Sequence, residues 1–413
     1  MKYLLQLRRY RLPLAVAVRT AHGVLTERAG VIVRLEDETG RVSFGEAAPV
    51  PGFGSETAEE SEAALRGLVS EGDGVVGAWV SQERIGEFLV AAGEPAGARI
   101  AVGSALAELS GKGGQIAHDT AGATERLSQP REVALSDSPL VLPVAALLPA
   151  GREAGKKIRA LSEAGFRTFK WKVGVAAVAD ELGWLDDVCA ELPPGARLRL
   201  DANGAWDRRA AERWLERCAE RPVEFVEQPC AARVGGTATD KSALRREEDL
   251  LRGLAEDWPT AIALDESLVG EGDVERWLAA EWRGVWVVKP SLLGGAALAR
   301  LYAADAEVVF SSALETAVGA RAALRVAFAW DAKKEKGVRS QETGGGQRPT
   351  SNVEPSTAKG RAEVVAHKPR RALGFGVWPL FADARFDGPY LAPFLSGAEV
   401  ERINVEAAWN ALS

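Results

Sequence analysis

This 413-residue chain has little of what several chemistries require: three cysteines, three histidines, and no long run of either basic or apolar residues. Cys189, Cys218 and Cys230 form no CxxC pair, and an odd count does not suggest a disulfide framework, so reduced thiols are expected. His22, His118 and His367 fall in a loop, in a polar linker and just past a polar insertion, and no Ser/His/Asp set falls at strand ends. No GxGxxG opens a helix after a strand, so a dinucleotide fold is not indicated. The longest apolar stretch, residues 139–151, carries three prolines and is too short to span a bilayer. Arg8, Arg9 and Arg11 interrupt the apolar N-terminus, unlike a signal peptide. A net charge of −7, without a basic tract, argues against nucleic-acid and anionic-membrane partners. A cytoplasmic protein is expected, and its oligomeric state is left open.

What the chain does have is a rhythm. The stretches FKWKVG (169–174), LRLDANGAW (198–206), EFVEQP (224–229), IALDESL (262–268) and VVKPSLLGG (287–295) each read as a buried strand ending in a charge. Those charges are Lys172, Asp201, Glu227, Asp265 and Lys289, spaced as strand–helix units require. The expected fold is α/β, a (β/α)8-type barrel with its site at the C-terminal rim, beside an α+β capping domain. The capping domain is expected over residues 1–130, where strands precede helices, and the barrel over 131–385. The tail, 386–413, should return to the capping domain. Two polar stretches, 232–249 and 331–363, interrupt the repeat as insertions, the second without apolar periodicity and expected to be flexible. The last strand is expected within 372–381.

Counting from the strand near 141–149, Asp201, Glu227 and Asp265 end strands three, four and five. Neighbouring strands lie about 4.8 Å apart, so the three carboxylates converge. Like charges so close would force protonation unless a cation sat between them. Oxygen donors without His or Cys favour Mg²⁺, with Mn²⁺ as a substitute. Helix capping by these acids is the alternative, weakened by their recurrence in three successive repeats. Lys170 and Lys172 share a face of strand two, and Lys289 ends strand six, diametrically across the mouth. A lysine beside a cation and another lysine has a lowered pKa, as a general base near neutrality needs. Lys170 can equally serve in salt bridges. Asn203 either orients a ligand or lysine, or supports the strand end.

With these residues placed, the chain resembles the enolase superfamily, muconate-lactonizing subgroup, over nearly its whole length. The matching segments are KWK (170–172), DANGAW (201–206), EQP (227–229), ALDES (263–267) and KPSLLGG (289–295). The segments GEAAPVPGFGSET (45–57) and SSALETAVG (311–319) point within that subgroup to the o-succinylbenzoate synthase branch. The resemblance implies a Mg²⁺ enzyme acting on a small carboxylate: a hydro-lyase making o-succinylbenzoate for menaquinone or phylloquinone synthesis. It implies Lys172 as the residue that handles the proton and Lys289 as the electrostatic stabiliser. Ser311, Ser312 and Gly52–Phe53–Gly54 are the implied substrate contacts. N-succinylamino-acid racemase and dipeptide epimerase share the lysine pair. Epimerases usually carry an Asp-x-Asp at the eighth strand, which Asp383 and Asp387 do not reproduce. A binding barrel without catalysis is a third reading, disfavoured because every ligand and lysine is present.

Overall fold

The structure, a computed structural model, describes residues 1–20, 23–69, 77–91, 93–111, 135, 138–231, 240–343 and 370–412. His22, His118, His367, nearly all of the polar linker and the centres of both insertions (232–239 and 344–363) lie outside the described residues.

Alternating apolar residues make the N-terminal strands. Strands β1 (Lys2–Thr20), β2 (Gly23–Asp37) and β3 (Val42–Ala47) form an antiparallel meander, with β4 (Ala78–Ser81) on its other edge in the order β3-β2-β1-β4. Strand β4 was not expected; its four residues are too few to show a period against the helix that follows. Tyr3, Leu5, Val31, Val33 and Leu35 point to one face and pack on helices α1 (Ala58–Leu68), α2 (Gln82–Val90) and α3 (Ala96–Leu109). The start of α1 is fixed by a capping box, Thr57 accepting from the Glu60 amide while Glu60 accepts from the Thr57 amide.

The second unit begins with β5 (Val141–Pro143), followed by seven parallel strands: β6 (Ala146–Leu148), β7 (Thr168–Lys172), β8 (Arg197–Asp201), β9 (Val223–Glu227), β10 (Ile262–Leu264), β11 (Val285–Val288) and β12 (Val308–Phe310). They are hydrogen-bonded in chain order. Between and after them run α4 (Ala154–Glu163), α5 (Val178–Ala190), α6 (Arg208–Cys218), α7 (Lys241–Asp257), α8 (Glu271–Ala279), α9 (Gly295–Ala303) and α10 (Ala317–Thr343). The eighth strand shrinks to two bridges, Leu373 to Val144 and Gly374 to Ser311. These still close the ring, because the Ala145 and Gly374 amides donate to Leu373 and Phe310 carbonyls at 2.9 and 2.7 Å. Helix α10 runs through 331–343, so the first third of the expected flexible insertion is helix.

Residues 380–382 return to the first unit, the Ala15 amide donating to Leu380 and the Ala382 amide to Pro13. The tail adds β13 (Phe394–Ser396), paired with β5, then α11 (Gly397–Glu401) and α12 (Val405–Asn410). Trp409 of α12 packs on Phe44 of β3 and under the Arg8 guanidinium of β1. Among the described residues no helix is long and apolar enough to cross a membrane.

The barrel interior is layered. Phe225, Ala263, Val285, Val287 and Val309 form a small apolar plug inside it, distinct from the larger core between strands and helices. Towards the N-terminal end of the strands lies a set of ion pairs: Arg199 with Glu224 at 2.7 Å, and Arg371 with Glu224 and Glu307, both at 2.7 Å. Arg199 also donates to Ala372 of the closing segment and stacks on Phe225. At the opposite end are the charges read from the sequence.

Candidate active site at the barrel rim

The register places the rim. Lys172 lies beside Asp201, and Asp201 beside Glu227, as in-register partners of adjacent parallel strands. Asp265 and Lys289 each follow the last residue of their strands, β10 and β11. Asp201, Glu227 and Asp265 are buried. The Lys170 ammonium sits between two of them, 2.9 Å from Asp201 and 2.7 Å from Glu227. Lys289 pairs with Asp265 and carries the Phe53 ring 4.1 Å away on its other side.

The environment divides the two lysines of β7. Although burial opposes its charge, Lys170 is held charged by Asp201, Glu227 and Asp265, which raise its pKa. Lys172 moves the other way: burial lowers its pKa, Lys170 adds to that, and Asp201 only partly offsets it. No ion pair to Lys172 is formed among the described residues. Lys170 is therefore the salt-bridge lysine, and Lys172 is the one whose charge burial disfavours.

The carboxylates divide too. Burial raises the Asp201 pKa, but Lys170 and Lys172 outweigh it and the net shift is downward. Glu227 is pushed well above the usual carboxylate range by burial, with Asp201 and Asp265 adding repulsion against Lys170. Glu266, which the strand-end reading passed over, is pushed up to about 8 by burial and by its neighbours Asp265 and Asp201. Its Oε1 accepts from Asn203 Nδ2 at 2.8 Å. Asn203 is not on the strand: it takes φ +46° in the turn after Asp201, whose Oδ1 accepts its amide. Gly204 completes that turn at φ +74°, where a Cβ would stand 2.4 Å from the Ala231 Cβ.

Two further supports escaped the sequence reading. Gln228, at φ +37°, accepts from the Asp265 and Ser267 amides and donates to Cys230 and Ser267, fixing β10's end against β9's. Glu181 of α5 accepts from the amides of Gly174, Val175 and Ala176, which holds the loop directly after Lys172. A buried Glu in a helix's first turn was the available signal. Leu147, in register with Lys170 and half exposed, adds an apolar wall on the inner face.

The other expected contacts are more committed. Ser311 donates to the Gly374 carbonyl at 3.2 Å, and Ser312 donates to Glu315 at 3.0 Å while accepting the Leu314 amide. Both serines are buried and shape the loop after β12. Gly52 faces open space, and Gly54 closes a short 3-10 turn at φ +104°. Asp383 binds Arg385, and Asp387 accepts the Leu380 and Phe381 amides, so both serve local structure.

Among the described residues no three His, Cys, Asp or Glu side chains are gathered as ligands around one point. Lysine ammonium groups hold the carboxylate oxygens instead. The donor set nevertheless suits a hard divalent cation: three buried carboxylates, oxygen only.

Comparison with known proteins accords with this geometry. Residues 153–377 match the family described as enolase C-terminal domain-like, and residues 3–74 match the MenC N-terminal domain. The o-succinylbenzoate synthase of Thermosynechococcus vestitus is 35% identical over 267 residues, 64% of this chain and 68% of that protein. The crystal structure of o-succinylbenzoate synthase from Thermosynechococcus elongatus BP-1, complexed with Mg in the active site, superposes with a TM-score of 0.67 at 29% identity. That match covers 98% of this chain and 99% of the other. The N-succinyl Arg/Lys racemase of Bacillus cereus matches in fold alone, with a TM-score of 0.63 at 19% identity over 80% and 85% of the two chains. The chain belongs to the enolase superfamily through its enolase C-terminal domain-like region, and within it is most like the o-succinylbenzoate synthases.

Proposed function

We propose that this chain is an o-succinylbenzoate synthase, dehydrating 2-succinyl-6-hydroxy-2,4-cyclohexadiene-1-carboxylate in quinone biosynthesis, with Mg²⁺ (or Mn²⁺) held by Asp201, Glu227 and Asp265. The observation that carries this reading is the full-length likeness to a synthase of that name with Mg in its active site, combined with a free lysine on one side of the rim. When bound, the cation would neutralise the substrate's ring carboxylate and stabilise the charge that develops there.

Lys172 takes the proton α to that carboxylate. The electron pair left behind forms the new ring double bond as the neighbouring hydroxyl departs. The Lys172 ammonium returns its proton to that hydroxyl, so water leaves and the amine is regenerated. Lys289, across the mouth, stabilises the anionic stage from the opposite face. Lys170 holds Asp201 and Glu227 in place, a task its ion pairs suit and a base's does not.

The opposed lysines also suit a two-base racemisation, which keeps N-succinylamino-acid racemase as a second reading. An epimerase reading lacks support, since Asp383 and Asp387 are used by their own loops. Incubation with Mg²⁺ and the cyclohexadiene substrate should give the aromatic product, followed by its ultraviolet absorbance. No turnover there, with α-proton exchange in N-succinylamino acids, would overturn the synthase reading.

A further inference from the structure

The seam between the capping unit and the barrel contains a buried arginine with no carboxylate. Arg28 of β2 is 3% exposed, and among the described residues no acidic group pairs with it. Its guanidinium is satisfied by four carbonyl oxygens. Two belong to its own unit, Pro49 at 2.7 Å and Ala48 at 3.0 Å. Two belong to the loop after β12, Leu314 at 2.9 Å and Ala313 at 3.2 Å. A buried guanidinium stripped of half its acceptors is costly, so both loops must be in place together.

The same barrel loop is gripped from its other side by an anion. Glu46 of β3 is buried and accepts from the Thr316 and Gly319 amides at 3.0 and 2.7 Å, from the Thr316 hydroxyl at 2.5 Å and from Tyr10 at 2.6 Å. The capping unit thus offers a cation to the loop's carbonyls and an anion to the amides where that loop enters α10, Thr316 and Gly319. Leu314, whose carbonyl Arg28 holds, stands at φ +61°, a conformation a leucine keeps only under constraint.

Both ends of this clasp lead to the rim. Residues 48–50 are the root of the turn that lays Phe53 on Lys289. Residues 313–314 follow Ser311 and Ser312 directly. We propose that Arg28 is a positioning residue for the substrate: it sets the separation of the Phe53 turn from the Ser311–Ser312 loop, and with it the space open to the substrate's succinyl chain. The kinetic part of this inference rests on the synthase reading; the clasp itself does not.

The full-length protein with Mg²⁺ serves for the test, as wild type, Arg28→Met and Arg28→Lys. Steady-state dehydration gives KM and kcat, and hydrogen exchange is followed in segments 48–56, 311–317 and, as a control, 31–35. Arg28→Met should raise KM about tenfold or more while kcat stays within roughly threefold. Exchange should quicken in both loop segments together, with the control still protected. Arg28→Lys should fall between the two, since an ammonium cannot reach four carbonyls at once. If Arg28→Met loses protection in the control segment, Arg28→Lys is judged by the same criteria. Unchanged exchange in either loop, or loosened loops with an unchanged KM, would overturn the proposal. If the wild type does not turn over the cyclohexadiene, the synthase reading fails, and the exchange result alone decides for or against the clasp.

Discussion

The barrel holds two charged clusters, one near each end of its strands, and they are built on opposite plans. At the N-terminal end Arg199, Arg371, Glu224 and Glu307 are joined by ion pairs of 2.7 Å. Burial there would raise the Glu224 pKa, but Arg199 and Arg371 outweigh it and the carboxyl stays well ionised. At the C-terminal rim four carboxyl groups crowd together. Glu227 and Glu266 are displaced upward, and among the described residues Lys172 forms no ion pair. A cluster that satisfies itself stabilises a fold. One in which burial disfavours charge on Glu227, Glu266 and Lys172 has the pattern common at functional sites.

Three measurements can break or sharpen that contrast. The largest effect is expected from Lys172→Ala, which should lower kcat by about 10²–10⁴-fold or more, followed through dehydration and solvent-deuterium exchange at the α carbon. In the wild type the same lysine should make kcat/KM climb with pH. On the synthase reading the free amine is the active form, and burial sets its pKa below that of an ordinary lysine, so the midpoint should lie there too. Retained exchange in the Ala variant would reject Lys172 as the base.

Next in size is Glu224→Ala, which leaves Arg199 buried and unpaired. Stability in urea should fall by about 3–5 kcal/mol, while the Mg²⁺ requirement is unaltered. A changed metal affinity would show that the two clusters are not independent. The smallest effect concerns the ion itself. At a hundred times its dissociation constant, Mg²⁺ should stabilise the wild type by about 2.7 kcal/mol, seen as a rise in Tm. Asp265→Asn should lose most of that rise, and Glu224→Ala should keep it. An equal rise in Asp265→Asn would remove Asp265 from the proposed ligand set.

Much of this was legible in the chain. Apolar strands ending in Lys172, Asp201, Glu227, Asp265 and Lys289 announce themselves because burial and register are local, repeated constraints. Most of the parts that stayed hidden depend on partners far away in sequence. Glu266 reads as a strand-end neighbour until Asn203 is brought against it. Ser312 resembles a substrate contact, yet its hydroxyl is held by Glu315. Arg28 and Glu46 lie in strands that read only as alternating, and their meaning depends on a loop nearly 300 residues on. The eighth strand was placed correctly but drawn too long, because the glycines at 374 and 376 allow close backbone approach without a long ladder.

The hydrogen bonds that tie Pro13 and Ala15 to residues 380–382 also bear on how the molecule is made. The first strand leaves the ribosome well ahead of its partner, which follows more than 360 residues later. At about 5–20 residues per second, that is a wait of roughly 20–70 s. During it the distal half of the first hairpin has an unmatched edge, and the barrel has no closing strand. Chaperone demand during synthesis should therefore concentrate on these opening residues rather than on the rim, whose strands arrive one after another beside their neighbours.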